Sequence, residues 1–345
     1  MAIQHIYWFA YYDHREPSVR YRGLYALQYL REHYGITYSI VYPGYKPAVI
    51  LNFIRVYLKV LLSSQKGSLV VYENLRTSRT YSSLLKLLLL IKRRVTLYDI
   101  DDADYLRFPP ASIHFFMKKC NACSVGSDEL LKYSSTFNEK SFLLTSPVIN
   151  HDSRKVGKNV ELVIGWIGYY RAHMEALKKL IFPALKTIKF RIRLVILGAD
   201  KPGQIEDIEN YFRDYKHIVL DIPQNINWLD EVSVYNRIKE FDIGVSPLLD
   251  TEFNRTKSAF KMKQYLSCGV PVLASRVGEN KRFLQQGYNG FFCDTPEDFR
   301  DYIEHVNEMN DDAYYLLSKN AVASAGSFSM ETYCNVLMDI GDKIL

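Results

Sequence analysis

The stretch "DIGVSPLLDTEFNRTKSAFKMKQYLSCGVPVLAS" (residues 242–275) decides how the chain folds. Residues 242–248 form a short apolar run with the character of a buried strand, and "LDTEFNRT" (249–256) is a polar loop. Residues 257–267 then read as a helix stopped at Cys268-Gly269, and "PVLAS" (271–275) as a second buried strand. Strand, helix and strand in this succession form a parallel crossover unit. The helix begins with Thr256 or Ser258 near its cap and with Lys257 and Lys261 in its first part. Cations in a first helical turn are unfavourable unless an anion compensates them, and free N-terminal amides attract the same anion. Lys257, Ser258, Lys261 and those amides therefore predict a nucleotide diphosphate as guest, against the plainer reading of a solvated basic face. Lys263 is turned away from Lys261 by its two-residue offset.

The same alternation extends in both directions. Upstream, the strands "HIYWFAYY" (5–12), "TYSIVYP" (37–43), "SLVVYE" (68–73), "VTLYDI" (95–100) and "ACSVGS" (122–127) alternate with helices over 19–35, 49–64 and 79–94 and one opened by Ser127. Residues 147–160, polar and without apolar periodicity, read as a linker. The alternation restarts with "LVIGWIG" (162–168), "RLVILG" (193–198), "HIVLD" (217–221) and "FDIGVSPL" (241–248), and ends in helices 296–308 and 311–322 and a last one capped by Ser329. The expectation is α/β: two Rossmann-like, doubly wound parallel-sheet domains whose strand carboxyl ends face each other across a cleft.

With 345 residues, 48% hydrophobic and 24% charged, the composition is that of a globular two-domain chain. Residues 1–150 hold 19 Lys+Arg against 11 Asp+Glu, and the remaining 195 hold 25 against 27. The basic excess thus belongs to the first half. No nucleic-acid motif interleaves it, which leaves a phosphate-bearing substrate or an anionic membrane surface as the partner. Five cysteines and no leader sequence point to a reducing compartment. The pair Cys120 and Cys123 has no second ligand pair for zinc and reads as packing. The apolar run 84–91 is broken by Lys86 and is too short to span a bilayer. The helices "LNFIRVYLKVLL" and "YSSLLKLLLLIKRR" carry apolar faces with interspersed Arg and Lys. They can lie on an anionic leaflet or simply pack on the sheet.

Residues 240–295 resemble the donor-binding segment of family-4 glycosyltransferases with the GT-B fold. The resemblance rests on the helix above, on Ser267-Cys268-Gly269-Val270-Pro271-Val272 and on Gly287-Tyr288-Asn289-Gly290. "SVRYRGLYALQYL" (18–30) and "SVGSDELLKY" (124–133) resemble the family's first helix and a late strand and helix of its N-terminal domain. In that family two glutamates eight positions apart commonly contact the donor; here those places hold Thr256 and Gln264. Glutamine still hydrogen-bonds a ribose hydroxyl but supplies no charge. The resemblance implies that Gly269 and Gln264 bind the donor, with Arg171 the nearest counterpart of a basic residue after the first glycine turn. It further implies retention of configuration and no metal. Glu252 is a candidate to replace a missing carboxylate.

Three further groups bear on chemistry. Gly165 and Gly168 sit at a strand-to-helix junction where backbone can approach a phosphate, or serve only as a tight turn. Asp99, Asp101, Asp102 and Asp104 leave one strand end together. They read as a divalent-cation site, as loop carboxylates paired with arginines such as Arg107, or as a catalytic pair. In the catalytic reading, Asp101 and Asp102 orient the acceptor hydroxyl or stabilise an oxocarbenium charge. Arg20 and Arg22, at the first helix, are candidates for an anionic acceptor or a solvated turn. His5, His14, His114 and His173 lack metal or triad spacing, and His173 stands just past the glycine turn.

The expected organisation is an acceptor domain over 1–150, a donor domain over 158–327, and a final helix, 328–345, packed back on the first. The expected activity moves a sugar from a nucleotide-diphosphate sugar to a glycan or lipid-linked acceptor in surface polysaccharide or glycoconjugate synthesis. Its setting is the cytoplasm or the inner face of a membrane, with no cofactor beyond the donor, no metal and no nucleic acid. The alternatives are a non-catalytic nucleotide-sugar-binding relative and a metal-dependent transferase using the Asp cluster.

Overall fold

A computed structural model describes residues 3–62, 67–76, 79–91, 94–151 and 155–345. The chain forms two compact units. One comprises Met1–Pro147, Arg255–Ser258 and Phe328–Leu345; the other comprises Val148–Asn254 and Ala259–Ser327.

The first unit is built on six parallel strands: β1 (His5–Phe9), β2 (Thr37–Val41), β3 (Ser68–Glu73), β4 (Val95–Ile100), β5 (Ala122–Val125) and β6 (Ser141–Leu143), in the order β2-β1-β3-β4-β5-β6. All six residues of β3 are buried, which is why it reads as a continuous apolar run rather than an alternating one. Its helices are α1 (Ala26–Tyr34), α2 (Pro47–Leu62), α3 (Arg79–Ile91), α4 (Ala111–Lys119) and α5 (Asp128–Ser135). The Ser127 hydroxyl accepts from the Leu130 N–H and so caps α5. Residues 19–25, expected as the start of an ordinary helix, form a π-helical turn ahead of α1. Gly23 faces the Trp8 indole there so closely that a Cβ would lie 3.0 Å from Nε1. Helix α4 and strand β6 were not read from sequence: α4 is a short segment behind Pro109-Pro110, and β6 has only three residues, all half-buried.

The second unit has six parallel strands as well: β7 (Leu162–Ile167), β8 (Ile192–Leu197), β9 (Ile218–Asp221), β10 (Ile243–Ser246), β11 (Val272–Ala274) and β12 (Gly290–Phe292), ordered β12-β11-β10-β7-β8-β9. Its helices are α6 (Tyr170–Ala176), α7 (Phe182–Thr187), α8 (Pro202–Phe212), α9 (Glu231–Lys239), α10 (Glu252–Arg255), α11 (Phe260–Ser267), α12 (Asn280–Phe283), α13 (Pro296–Glu308) and α14 (Asp311–Ser324). Ile164, Trp166, Leu194, Ile196, Phe182 and Phe299 are part of its buried core. Buried Asp242 ties the entry of β7 to that of β10. Its carboxylate accepts from the Val163 N–H at 2.8 Å and from Lys155 Nζ at 2.7 Å.

Helix α15 (Met330–Ile344), capped by Ser329 through the Thr332 N–H, belongs to the first unit. There the Tyr333 hydroxyl donates to the Arg22 carbonyl at 3.0 Å, and Gly341 lies against Ile3. All five cysteines are buried and free.

Candidate functional site

In both units, loops at the carboxyl ends of the strands gather the polar residues, as open α/β sheets favour. On the second unit, β7 runs into Gly168, whose φ of +147° is a conformation L side chains rarely adopt. A Cβ at Gly168 would come 2.4 Å from Lys261 Cε, so only glycine lets that lysine cross the turn. Gly198, at the end of the neighbouring β8, has φ +117°, and a Cβ there would lie 1.8 Å from the Gly168 carbonyl oxygen. The sequence reading singled out Gly168 and missed Gly198. Its signal was the same strand-end glycine, and what was missing was the β7–β8 adjacency.

Lys261 sits in the first turn of α11, which starts at Phe260 and not at Lys257. The N-cap is Ala259 in the left-handed conformation, at φ +58°. No side chain caps the helix there, and its first turn has no acidic residue. Lys261 Nζ lies 2.9 Å from His173 Nε2 and 5.9 Å from the centre of the buried Trp166 ring. An ammonium can only donate, so His173 accepts through Nε2 and keeps its proton on Nδ1. Arg171, on the exposed face of the first turn of α6, stands two residues before His173. Gly168, His173 and Lys261 thus converge on one place, with His173 more central than sequence gave reason to expect.

Other expected donor residues lie elsewhere. Gly269, at φ +69°, follows the last turn of α11. It donates to the Leu266 carbonyl, and its own carbonyl accepts from Ser318 at 2.6 Å. It is a left-handed helix stop, at the end of α11 opposite Lys261. Gln264 is buried on the third turn-position after Lys261. Lys257 and Ser258 precede α11 and fall in the first unit, because α11 begins only at Phe260. Lys257 Nζ is 3.1 Å from Asp102. Thr256 is buried in the same segment, and Glu252 opens the short α10. Lys263, expected to point away, is fully buried with Nζ 4.3 Å from the Phe283 ring.

The first unit's crest is crowded with ionisable groups. Asp99 is buried and holds Arg22 through two bonds, Nε at 2.9 Å and Nη2 at 2.5 Å, and the Ser124 hydroxyl donates to it at 2.5 Å. Arg22 also donates to the Leu144 carbonyl and Ser146 and lies over the Tyr333 ring. Arg20 is buried and donates to the carbonyls of His14 and Arg15. Both guanidiniums expected to meet an acceptor are buried and donate to protein oxygens. The π-helical turn points them inward, where protein oxygens bind them.

Asp104 pairs with Arg76 and accepts from Asn74. The four carboxylates are thus divided: Asp99 with Arg22, Asp102 with Lys257, Asp104 with Arg76, and Asp101 between them. Among the described residues no three His, Cys, Asp or Glu side chains are grouped to hold a metal ion. Burial, then the neighbouring Asp102, push the Asp101 carboxyl up to about 6. Gly126, after β5, lets the chain close against it, since a Cβ would lie 3.0 Å from Asp101 Cα.

Glu73, at the end of β3, was missed in the sequence because it closes an apolar strand. Its carboxyl accepts from Trp8 Nε1 at 2.7 Å, and burial followed by Asp99 raises it well above the usual carboxylate range. His5 and His114 are held by Thr37 and Ser39, and by Tyr133, and His14 lies beside the Tyr42 ring.

Residues 161–312 match the family model described as Glycosyl transferases group 1. A comparison with curated protein sequences returns no match. Among solved structures the chain is similar to a glycosyltransferase from Rickettsia africae, at 14% identity over 99% of this chain and 98% of that one, with a TM-score of 0.68. It is similar to the lipopolysaccharide outer core galactosyltransferase WaaB at 11% identity over 99% and 100%, TM-score 0.67. It is also similar to Anabaena Alr3699/HepE in complex with UDP-glucose, at 12% identity over 97% and 98%, TM-score 0.63. The family match over residues 161–312 lies largely within the second unit, and the structural likeness gives the whole chain the GT-B fold.

Proposed function

We propose that this glycosyltransferase moves a sugar from a nucleotide-diphosphate donor, bound on the second unit, to a hydroxyl of a glycan or lipid-linked acceptor. The observation that carries the donor assignment is Lys261, a cation in an uncapped first helical turn that crosses a glycine turn to reach His173. An anion bound there is stabilised by the ammonium and the helix amides together, and diphosphate oxygens accept from both. Gly168 and Arg171 complete the donor set, with Gln264 as the residue for ribose hydroxyls. Anabaena Alr3699/HepE was solved with UDP-glucose, which supports a uridine nucleotide as the first donor to try.

Stabilising the diphosphate as it leaves accounts for much of the rate in such a transfer, and the scheme uses no metal. Asp101 is the candidate for orienting the acceptor hydroxyl. A carboxyl raised to about 6 is matched to proton traffic near neutrality. Retention of configuration belongs to this reading through the family-4 resemblance. The likeness to a lipopolysaccharide outer core galactosyltransferase supports a surface glycan as product.

Calorimetry with UDP and UDP-glucose tests the donor site. Lys261→Ala should weaken binding about 10- to 100-fold, the worth of one charged hydrogen bond, whereas Lys257→Ala should change it less than about twofold. Unchanged affinity in Lys261→Ala would sink the assignment. Release of UDP that depends on an acceptor separates transfer from binding alone.

A further inference from the structure

Helices α2 and α3 present an apolar surface that is exposed among the described residues. On α2, Ile50, Ile54, Leu58 and Leu62 recur every four residues and are 43%, 46%, 44% and 76% exposed, with Leu51 beside them at 68%. Val56 and Val60, on the other side, are buried. On α3, Leu84, Leu87, Leu90 and Ile91 are exposed, whereas Leu85 and Leu88 are buried. The two helices are neighbours: the Tyr57 hydroxyl donates to the Leu84 carbonyl, and the Phe53 and Tyr81 rings lie 5.4 Å apart. Their outward stripes therefore belong to one surface. An apolar area of this kind on a folded unit marks a contact with something else.

Charge selects the partner. Residues 46–94 contain ten Lys+Arg and one carboxylate, Glu73, which is buried at the end of β3. Exposed Arg55 and Lys59 follow Leu51 at four-residue intervals, in the column next to the apolar stripe. A second copy of the chain would set the same basic array against itself. An anionic bilayer offers apolar depth to the leucines and phosphate to the cations at once. Among the described residues no helix is long and apolar enough to cross a membrane, so the contact is a lateral one. We infer that the outer face of α2 and α3 docks the first unit on the interface of an anionic lipid bilayer. The inference stands on this surface alone and is independent of the donor assignment, although it fits a lipid-linked acceptor.

Flotation of the full chain with vesicles tests it. With phosphatidylcholine mixed with phosphatidylglycerol the wild-type chain should float, and with phosphatidylcholine alone it should not. Leu51→Ser/Ile54→Ser/Leu90→Ser should remain at the bottom of the gradient with an unchanged thermal melt, since all three side chains are exposed. Arg55→Gln/Lys59→Gln leaves the apolar stripe intact and should lower vesicle affinity about fivefold per charge removed, with a shallower salt dependence. If the triple variant melts early, this charge pair carries the test alone. Absence of flotation on anionic vesicles at low salt would overturn the inference. So would equal flotation of wild type and both variants, or a wild-type dimer in ultracentrifugation that the apolar variant dissociates.

Discussion

The two units share one architecture and use their strand ends differently. The crest of the first sheet is filled with ionised pairs, Arg22 with Asp99, Arg76 with Asp104 and Lys257 with Asp102. The crest of the second is opened by Gly168 and Gly198 and carries Lys261, whose Nζ lies 2.9 Å from His173 Nε2. A carboxylate beside each cation stabilises a fixed arrangement. A cation in a first helical turn, next to backbone that a ligand can approach, is suited to bind an anion from outside. Doubly wound sheets place both kinds of crest in equivalent positions, so the side chains rather than the topology distinguish them.

The comparison can be broken first at Arg22. Arg22→Ala leaves a buried carboxylate without its guanidinium and should cost about 3–5 kcal/mol in denaturant unfolding, whereas Arg22→Met/Asp99→Leu should recover most of it. A loss below about 1 kcal/mol in the single variant would show that the pair is not what holds this crest. Asp101 sharpens the contrast between structural and reactive carboxylates. In the scheme above, Asp101→Asn should lower kcat about 10²- to 10⁴-fold. The acid limb of the wild-type profile should fall near the value of about 6 to which Asp101 is raised.

The same shift has a stability sign. A carboxyl raised in the folded state binds a proton more tightly there than in the unfolded chain. Its contribution is therefore fully present below the unfolded value of about 3.9 and is lost as pH rises through about 6. Asp101→Asn should flatten that slope in chemical denaturation at a series of pH values. The smallest effect concerns the second crest: Ala259 holds φ +58° at the start of α11. Ala259→Gly should raise the unfolding free energy by about 1 kcal/mol by relieving it. A decrease would mean that the methyl group's burial outweighs the backbone cost.

Much of the fold was legible because a parallel sheet covered on both faces leaves continuous apolar runs, as in "SLVVYE" and "LVIGWIG". The caps Ser127 and Ser329 were legible because a hydroxyl ahead of a helix acts within three residues. The start of α11 was misplaced by three residues, since "TKSAF" has a favourable cap in sequence and the structure begins the helix instead after a left-handed alanine. That displacement leaves Lys257 ahead of α11 and puts Lys261 in its first turn. Arg20 and Arg22 were read as a basic first turn because local charge says nothing about which way a π-helical turn faces. Glu73 and Gly198 were overlooked because their partners, Trp8 and Gly168, are brought to them by strand pairing and not by sequence distance.

By itself, then, the sequence determined what depends on neighbours along the chain: two runs of alternating strands and helices, the glycine turn after β7, the carboxylates released by β4, and the basic, apolar character of α2 and α3. Tertiary structure alone decided which of those groups are bound by others. Ion pairing and burial are settled by contacts such as Arg22 to Asp99, 77 residues apart, and Lys261 to His173, 88 apart. At such separations the energy of a pair depends on the sheet that brings its members together, and no local pattern encodes it.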